Sequence, residues 1–293
     1  MKFTIILTIL LIAACVGRER VRNTTDEFME GVRLAQLKNK KLREVSGMAS
    51  SMNNPGLLWV HNDAGNKAEI YLLDQNLDVK LTCTLAGVEN RDWEDIAIGP
   101  GPDSGRHYIY VGDIGDNDGQ RRHKFVYRIE EPVWNKSDPT LAVTSIETIT
   151  IELDDRPKDT ETLLIDPGTK NLYLVSKREN PVHLYEVKYP YSTREPVVAR
   201  KVMPLPMSEI VGGDFSHDGK EVVIKNYAYI YYWRRQPQEL IQDVLKTSSR
   251  EIQYMKEPQG EAITFAHDGS GLYTLSEVGK GNSVYLYFYQ RKP

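Results

Sequence analysis

The chain has 293 residues, of which 40% are hydrophobic and 27% charged, a composition that supplies a real core and excludes a disordered or membrane-embedded chain. Its formal net charge is −4, so the overall balance gives no support to nucleic-acid binding, which relies on clustered Lys and Arg. The short basic clusters Lys38-Asn39-Lys40-Lys41, Arg121-Arg122 and Arg234-Arg235 read as solvated turns or strand ends.

The N-terminus carries Lys2, then an apolar run from Ile5 to Ala14 that ends at Cys15. These are the parts of an export signal, too short to span a bilayer. Leu11-Ile12-Ala13-Ala14-Cys15 resembles the bacterial lipobox, in which the Cys is lipidated; the alternative is an ordinary signal peptide with an incidental Cys. The expectation is an exported lipoprotein of the cell envelope, anchored at Cys15 in the outer membrane and touching lipid only through that anchor. Residues 1–15 form the leader, 16–30 a mixed-charge tether, and 31–293 one domain. Cys83 is the only other cysteine, which rules out an intramolecular disulfide in the mature chain and suits a buried small hydrophobe.

From residue 46 onward five segments repeat one plan. The first strands begin at Ser46-Gly47-Met48, Glu94-Asp95-Ile96, Glu161-Thr162-Leu163, Gly213-Asp214-Phe215 and Glu261-Ala262-Ile263. A Gly-bearing turn follows each, such as His217-Asp218-Gly219 and His267-Asp268-Gly269, and then a β-branched or aromatic second strand. Third strands carry Tyr71, Tyr127, Tyr185, Tyr231 and Tyr287. These read as a core aromatic layer and not as a stacking platform.

Fourth strands are expected at 80–87, 146–153, 199–206 and 252–257. The last copy runs out of chain, and Val32–Leu37 is available to complete it. A repeat of this size points to propeller blades. The expected fold is therefore all-β: a five-bladed β-propeller of four-stranded antiparallel blades, closed by an N-terminal strand, and a monomer.

Residues at the first-strand starts and in the second-to-third loops converge on one face of such a ring. That collects Ser46, Glu94, Glu161, Gly213 and Glu261 around the channel, with Asp63, Asp113, Lys177, Arg178 and Lys225 in the loops. Glutamates crowded in a narrow channel raise one another's pKa unless a cation sits among them. A hard cation with oxygen ligands answers that, calcium first and magnesium second. The competing reading has Lys177 and Lys225 neutralise the glutamates as a buried ion-pair network. Asp113–Asp118 reads either as a calcium-loop fragment or as a tight Asx-rich turn.

Ser46-Gly47-Met48, Asn62-Asp63 and Trp93-Glu94-Asp95-Ile96-Ala97 resemble the recurring signature of bacterial lipoprotein and phytase-like propellers, a group of mostly unknown activity. The channel order Ser46, Glu94, Glu161, Gly213, Glu261 is similar to the calcium site of five-bladed calcium-activated nucleotidases, the apyrases. That resemblance implies a calcium site, with Lys177, Arg178 and Lys225 where the family keeps basic residues near phosphate. Gly213 departs from the family's second Ser. His61-Asn62-Asp63 replaces an Asp-Asp-Arg run, and Asp116-Asn117-Asp118 a Lys-bearing segment.

Two functions follow. One is an envelope module that binds a ligand or partner, with calcium at the channel mouth. The other is a calcium-dependent phosphoester or phosphoanhydride hydrolase in which Asp63 or Asp113 is the general base and Lys177, Arg178 and Lys225 stabilise developing charge.

Overall fold

The computed structural model describes residues 23–279 and 283–293. The leader and the Cys15 anchor lie outside the described residues. A short strand, β1 (Val32–Gln36), precedes β2 (Val45–Ser50), β3 (Leu58–Asn62), β4 (Glu69–Leu73) and β5 (Val79–Leu85). The next run is β6 (Trp93–Pro100), β7 (His107–Asp113), β8 (Lys124–Glu130), β9 (Thr140–Val143) and β10 (Glu147–Leu153). Then come β11 (Thr160–Ile165), β12 (Leu172–Ser176), β13 (Val182–Val187) and β14 (Val197–Leu205). After β15 (Ile210–Phe215), β16 (Glu221–Asn226) and β17 (Ile230–Arg234), one helical turn and a half, α1 (Ile241–Lys246), leads to β18 (Arg250–Ile252). The chain ends with β19 (Gly260–Phe265), β20 (Gly271–Ser276) and β21 (Tyr285–Gln290).

The fold is all-β and propeller-like. Consecutive strands pair antiparallel in the orders β2-β3-β4-β5, β6-β7-β8, β11-β12-β13-β14, β15-β16-β17-β18 and β19-β20-β21. β1 pairs antiparallel with β21, so the two ends of the chain share one sheet. The first strands neighbour one another in a closed cycle, β2 to β6, β11, β15, β19 and back to β2. Each first strand is the terminal strand of its sheet, and the closed cycle turns these edges toward one another and away from other chains.

Burial follows that order. β11 is buried at every residue, whereas the outer β14 alternates or stands exposed. An inner strand packed on both faces needs a continuous run of apolar or internally bonded residues, and Thr160-Glu161-Thr162-Leu163-Leu164-Ile165 supplies one. The five repeated tyrosines, Tyr71, Tyr127, Tyr185, Tyr231 and Tyr287, are all buried in the apolar layers between sheets. Cys83 is also fully buried, which pushes its thiol up to about 12.

Three features depart from expectation. The 134–145 insertion adds β9 in parallel to β5, and β10 pairs in parallel with β14, which merges two neighbouring sheets at their outer edges. The strand expected at 252–257 ends at Ile252, because the chain then turns inward so that the Tyr254 hydroxyl reaches Glu257 Oε2 at 2.8 Å.

Finally, the part of the expected tether from Asn23 onward is seated on the body. Thr25 N–H donates to Glu251 O at 2.9 Å, Phe28 meets Tyr232 edge-on at 5.5 Å, and Glu27 pairs with Arg234 at 2.7 Å and Arg250 at 2.6 Å. Mixed charge reads as a linker in sequence, but here Glu27 finds cationic partners on the fold and Phe28 is buried against it. Phe28→Ala is expected to lower stability by about 2 kcal/mol, the scale of one buried ring with its aromatic and cationic contacts. Urea unfolding indistinguishable from wild type would restore the tether reading.

Candidate functional site

Every first strand is entered through the same irregularity. In β2, β6, β11, β15 and β19 the register against the next strand shifts between the first and third residues. One residue stands unpaired at each shift: Ser46, Glu94, Glu161, Val211 and Glu261. A bulge re-aims its extra side chain out of the strand's alternation. Repeated around the axis, it brings side chains from five distant segments to one mouth.

The fourth of these corrects an expectation. Gly213 pairs with Ile224, two residues deeper in β15, and a Cβ on it would lie 3.2 Å from Leu164 and Thr162. Val211 holds the repeat position, buried and without a ligand atom. The Gly212-Gly213-Asp214 run imitates the start of a strand in sequence, but the register is set by pairing with β16.

The remaining residues divide into two neighbourhoods. Glu94 lies at the centre of the first: its carboxylate groups with those of Asp63 and Asp92, and also with those of Asp159 and Glu161, ligand oxygens within 4.8 Å in each set. Asp92 and Asp159 were not singled out from sequence. The signal was there, an Asp two residues before the Glu in Asp92-Trp93-Glu94 and again in Asp159-Thr160-Glu161. Gly115 faces this cluster, and a Cβ on it would overlap the Glu94 carboxylate. Asn90 sets the approach of Asp63 by donating to its backbone carbonyl at 2.8 Å.

Glu261 belongs to the second neighbourhood. It accepts from the Tyr227 hydroxyl at 2.6 Å and faces Lys177 at 3.9 Å, while Lys177 lies 2.9 Å from Glu161 and so bridges the two neighbourhoods. Ser46 donates its hydroxyl to the Glu94 backbone carbonyl at 2.6 Å and braces the bulge beside it.

Most cations here already have partners. Arg121 pairs with Asp92 at 2.7 Å, and Arg178 with Asp159 at 2.7 Å and with Asn117. Lys225, expected at the mouth, is fully buried; it donates to the Gly260 carbonyl and lies 3.3 Å from the Tyr254 hydroxyl. Burial pulls its ammonium down to about 8, against the pull of Glu257 and Glu261. Asp113 is also committed elsewhere, held by Arg91 at 3.0 and 3.2 Å and by the Tyr127 hydroxyl at 3.2 Å. Its loop is an Asx-type turn, with the Asp116 carboxylate accepting from Gln120 and Arg121 N–H at 2.9 Å each. Among the described residues, no Lys or Arg ion pair reaches Glu94 or Asp63.

The electrostatics follow from that imbalance. Burial, then the neighbouring Glu161 and Asp63 charges, raise the Glu94 carboxyl well above its ordinary range. Burial pushes Glu161 up to about 8 even with Lys177 opposing it, and Glu277 to about 8 with Glu261 and Asp63 adding to the effect. Asp63 rises to about 6, chiefly by burial. Lys177 is buried too, which works against its charge, yet Glu161 and Glu261 hold it above the usual lysine range.

The donor set is oxygen only, four carboxylates arranged around that of Glu94. Such a set suits a hard divalent cation, whose calcium–oxygen distances of about 2.3–2.6 Å place ligand oxygens within about 5 Å of one another.

No family model matches the chain, and no curated protein matches it. A solved structure similar to it is the WD40 domain of Neurospora crassa Pan2, with 10% sequence identity and a TM-score of 0.45, covering 91% of this chain and 97% of that one.

Proposed function

We propose that the chain is a five-bladed propeller of four-stranded blades that serves as a ligand- or partner-binding module of the cell envelope, with a calcium ion at the Glu94 mouth of its channel. The blade count is supported by five first strands in a closed cycle, with β1 completing the sheet of β19, β20 and β21. The metal reading rests on one observation above all: Glu94 is buried among four other carboxylates, and among the described residues no Lys or Arg forms an ion pair with it, Lys124 donating instead to the Ile114 carbonyl. A bound divalent ion would supply the missing positive charge, held by Glu94 with Asp63, Asp92, Asp159 and Glu161. Lys177 already offsets Glu161 and Glu261, so it limits how much charge the ion must balance.

Binding is favoured over phosphate hydrolysis by the state of the basic residues. Lys177 and Arg178 are paired with carboxylates and Lys225 is sealed away, so none of the three offers a free charge to a phosphoryl group. The mouth therefore presents acid, paired base and one candidate metal. The export and lipid-anchor proposal rests on Leu11-Ile12-Ala13-Ala14-Cys15 alone, and Cys15→Ala should release the protein from the membrane fraction.

Calorimetric titration should show one calcium per chain, with binding lost in Glu94→Gln combined with Glu161→Gln. Incubation with nucleoside diphosphates, phytate and aryl phosphates should leave all three intact. Calcium-dependent turnover abolished by the double substitution would replace the binding module with the hydrolase.

A further inference from the structure

The far mouth of the channel carries a second constellation, built from turns and not from bulges. His217 and His267 occupy the turns after β15 and β19, and His107 opens β7. Their rings come together over 160 residues of chain: His217 lies 6.3 Å from His107 and 5.8 Å from His267, centroid to centroid. They rim a cavity of about 250 Å³ whose walls include Ala49, Ile98, Phe215 and Phe265.

We propose that this mouth binds a divalent transition-metal ion of the copper or zinc class through His107, His217 and His267. Two imidazoles on one such ion, with metal–nitrogen distances of about 2.0–2.1 Å, have centroids about 4.5–5.5 Å apart, so the three rings stand wider than in a loaded site and must draw in on the ion.

The tautomers are set for it. His107 Nδ1 lies 3.0 Å from Asn53 Oδ1, and Asn53 is oriented because its amide nitrogen donates to the Glu131 carbonyl at 2.8 Å. Asn53 Oδ1 can only accept, so His107 carries its proton on Nδ1 and leaves Nε2 with a lone pair. His267 Nδ1 lies 3.2 Å from the Met52 sulfur, an acceptor only, which again places the proton on Nδ1 and frees Nε2. Metal-ligating histidines commonly show this pattern, with the second ring nitrogen tied to a fixed acceptor. His217 makes no hydrogen bond through either nitrogen among the described contacts, and its exposed ring can rotate to bring Nε2 toward the other two.

The charged groups around the three rings are already paired. Asp218, beside His217, is tied to Lys220 at 2.7 Å. Arg106, the nearest lining cation, is drawn off by Glu130 at 2.6 Å, and the Asp214 carboxylate is taken up by Thr264 and Phe265. Imidazole nitrogen with no free carboxylate selects a borderline ion over calcium, and copper(II) binds such sites tightest.

The test is a copper(II) and zinc(II) titration of the purified full-length chain with calcium present at saturation. One copper per chain is expected, with nitrogen hyperfine structure in the electron paramagnetic resonance spectrum. His217→Ala, an exposed substitution, should weaken copper binding by about tenfold or more at unchanged melting temperature, and His107→Ala should do the same. Glu94→Gln with Glu161→Gln should leave the copper signal untouched, which separates this site from the carboxylate mouth. Absent copper binding, equal affinity in His217→Ala and wild type, or a copper signal that disappears with the glutamates would each overturn the proposal.

Discussion

In the absence of metal, the protein should lose stability as the pH rises from about 5 to about 8, and calcium should reverse the trend. Glu161 has an ordinary carboxyl value of 4.5 when the chain is unfolded and about 8 when it is folded, and Glu277 moves the same way. Between those limits the folded state holds protons that the unfolded state has released. The unfolded state binds fewer protons, so the free energy of unfolding falls with rising pH across that window and levels off below it. Because the carboxyls at this mouth titrate as a coupled set, a net loss on the order of 3 kcal/mol is expected, the scale of a two-unit shift at about 1.4 kcal/mol per unit.

Calcium at about one hundred times its Kd should add about 2.7 kcal/mol, a rise in Tm of roughly 5–8 °C. Glu94→Gln with Glu161→Gln should flatten the pH dependence and abolish the calcium response together. Thermal melts in chelator and in calcium at both pH values decide the matter. A pH slope without a calcium response would mean that the cluster is held by shared protons and Lys177 alone. A calcium response that survives the double substitution would place the ion elsewhere.

The second large effect is expected at Glu131, far from that mouth. Its buried carboxylate accepts from the Ser51 hydroxyl at 2.5 Å, from Met52 and Asn53 N–H at 3.1 and 2.9 Å, and from Trp59 Nε1 at 2.9 Å. It thereby joins the end of β8 to the turn between β2 and β3. Glu131→Ala strands these donors in a buried site, and unsatisfied buried groups cost about 1–3 kcal/mol each. Relaxation and entering water will offset part of this, so a loss of about 3–5 kcal/mol is expected in urea unfolding. Glu131→Gln keeps the shape and one acceptor oxygen, and should fall between the two. A change below about 1 kcal/mol for the alanine variant would show that this network stabilises nothing.

Much of the architecture was legible because its determinants are local. Gly-bearing turns such as Asp166-Pro167-Gly168 and His267-Asp268-Gly269 and strand patterns such as Tyr108-Ile109-Tyr110-Val111 act on their own few residues, so the repeat could be read without neighbours. The same holds for Glu94, Glu161 and Glu261, which stand at one repeat position in both sequence and structure. Gly213 was misplaced for a physical reason: two glycines and an aspartate read as a strand start, while ladder pairing with β16 puts Val211 in the bulge. Register is a property of two strands, and one strand's sequence underdetermines it.

Through-space pairing lies further still from the sequence. Nothing in the loops announces that Arg91 will take up Asp113, that Lys225 will sink beneath Tyr254, or that Glu27 will collect Arg234 and Arg250. Each of these contacts joins segments from different strands or sheets, and a charge's effect depends on distance and burial that only the packed ring defines. The sequence by itself determined the repeated unit and the acids it brings to one end of the channel. Only the tertiary structure decided which of those acids are paired with a cation, and that three histidines from separate segments meet at the other end.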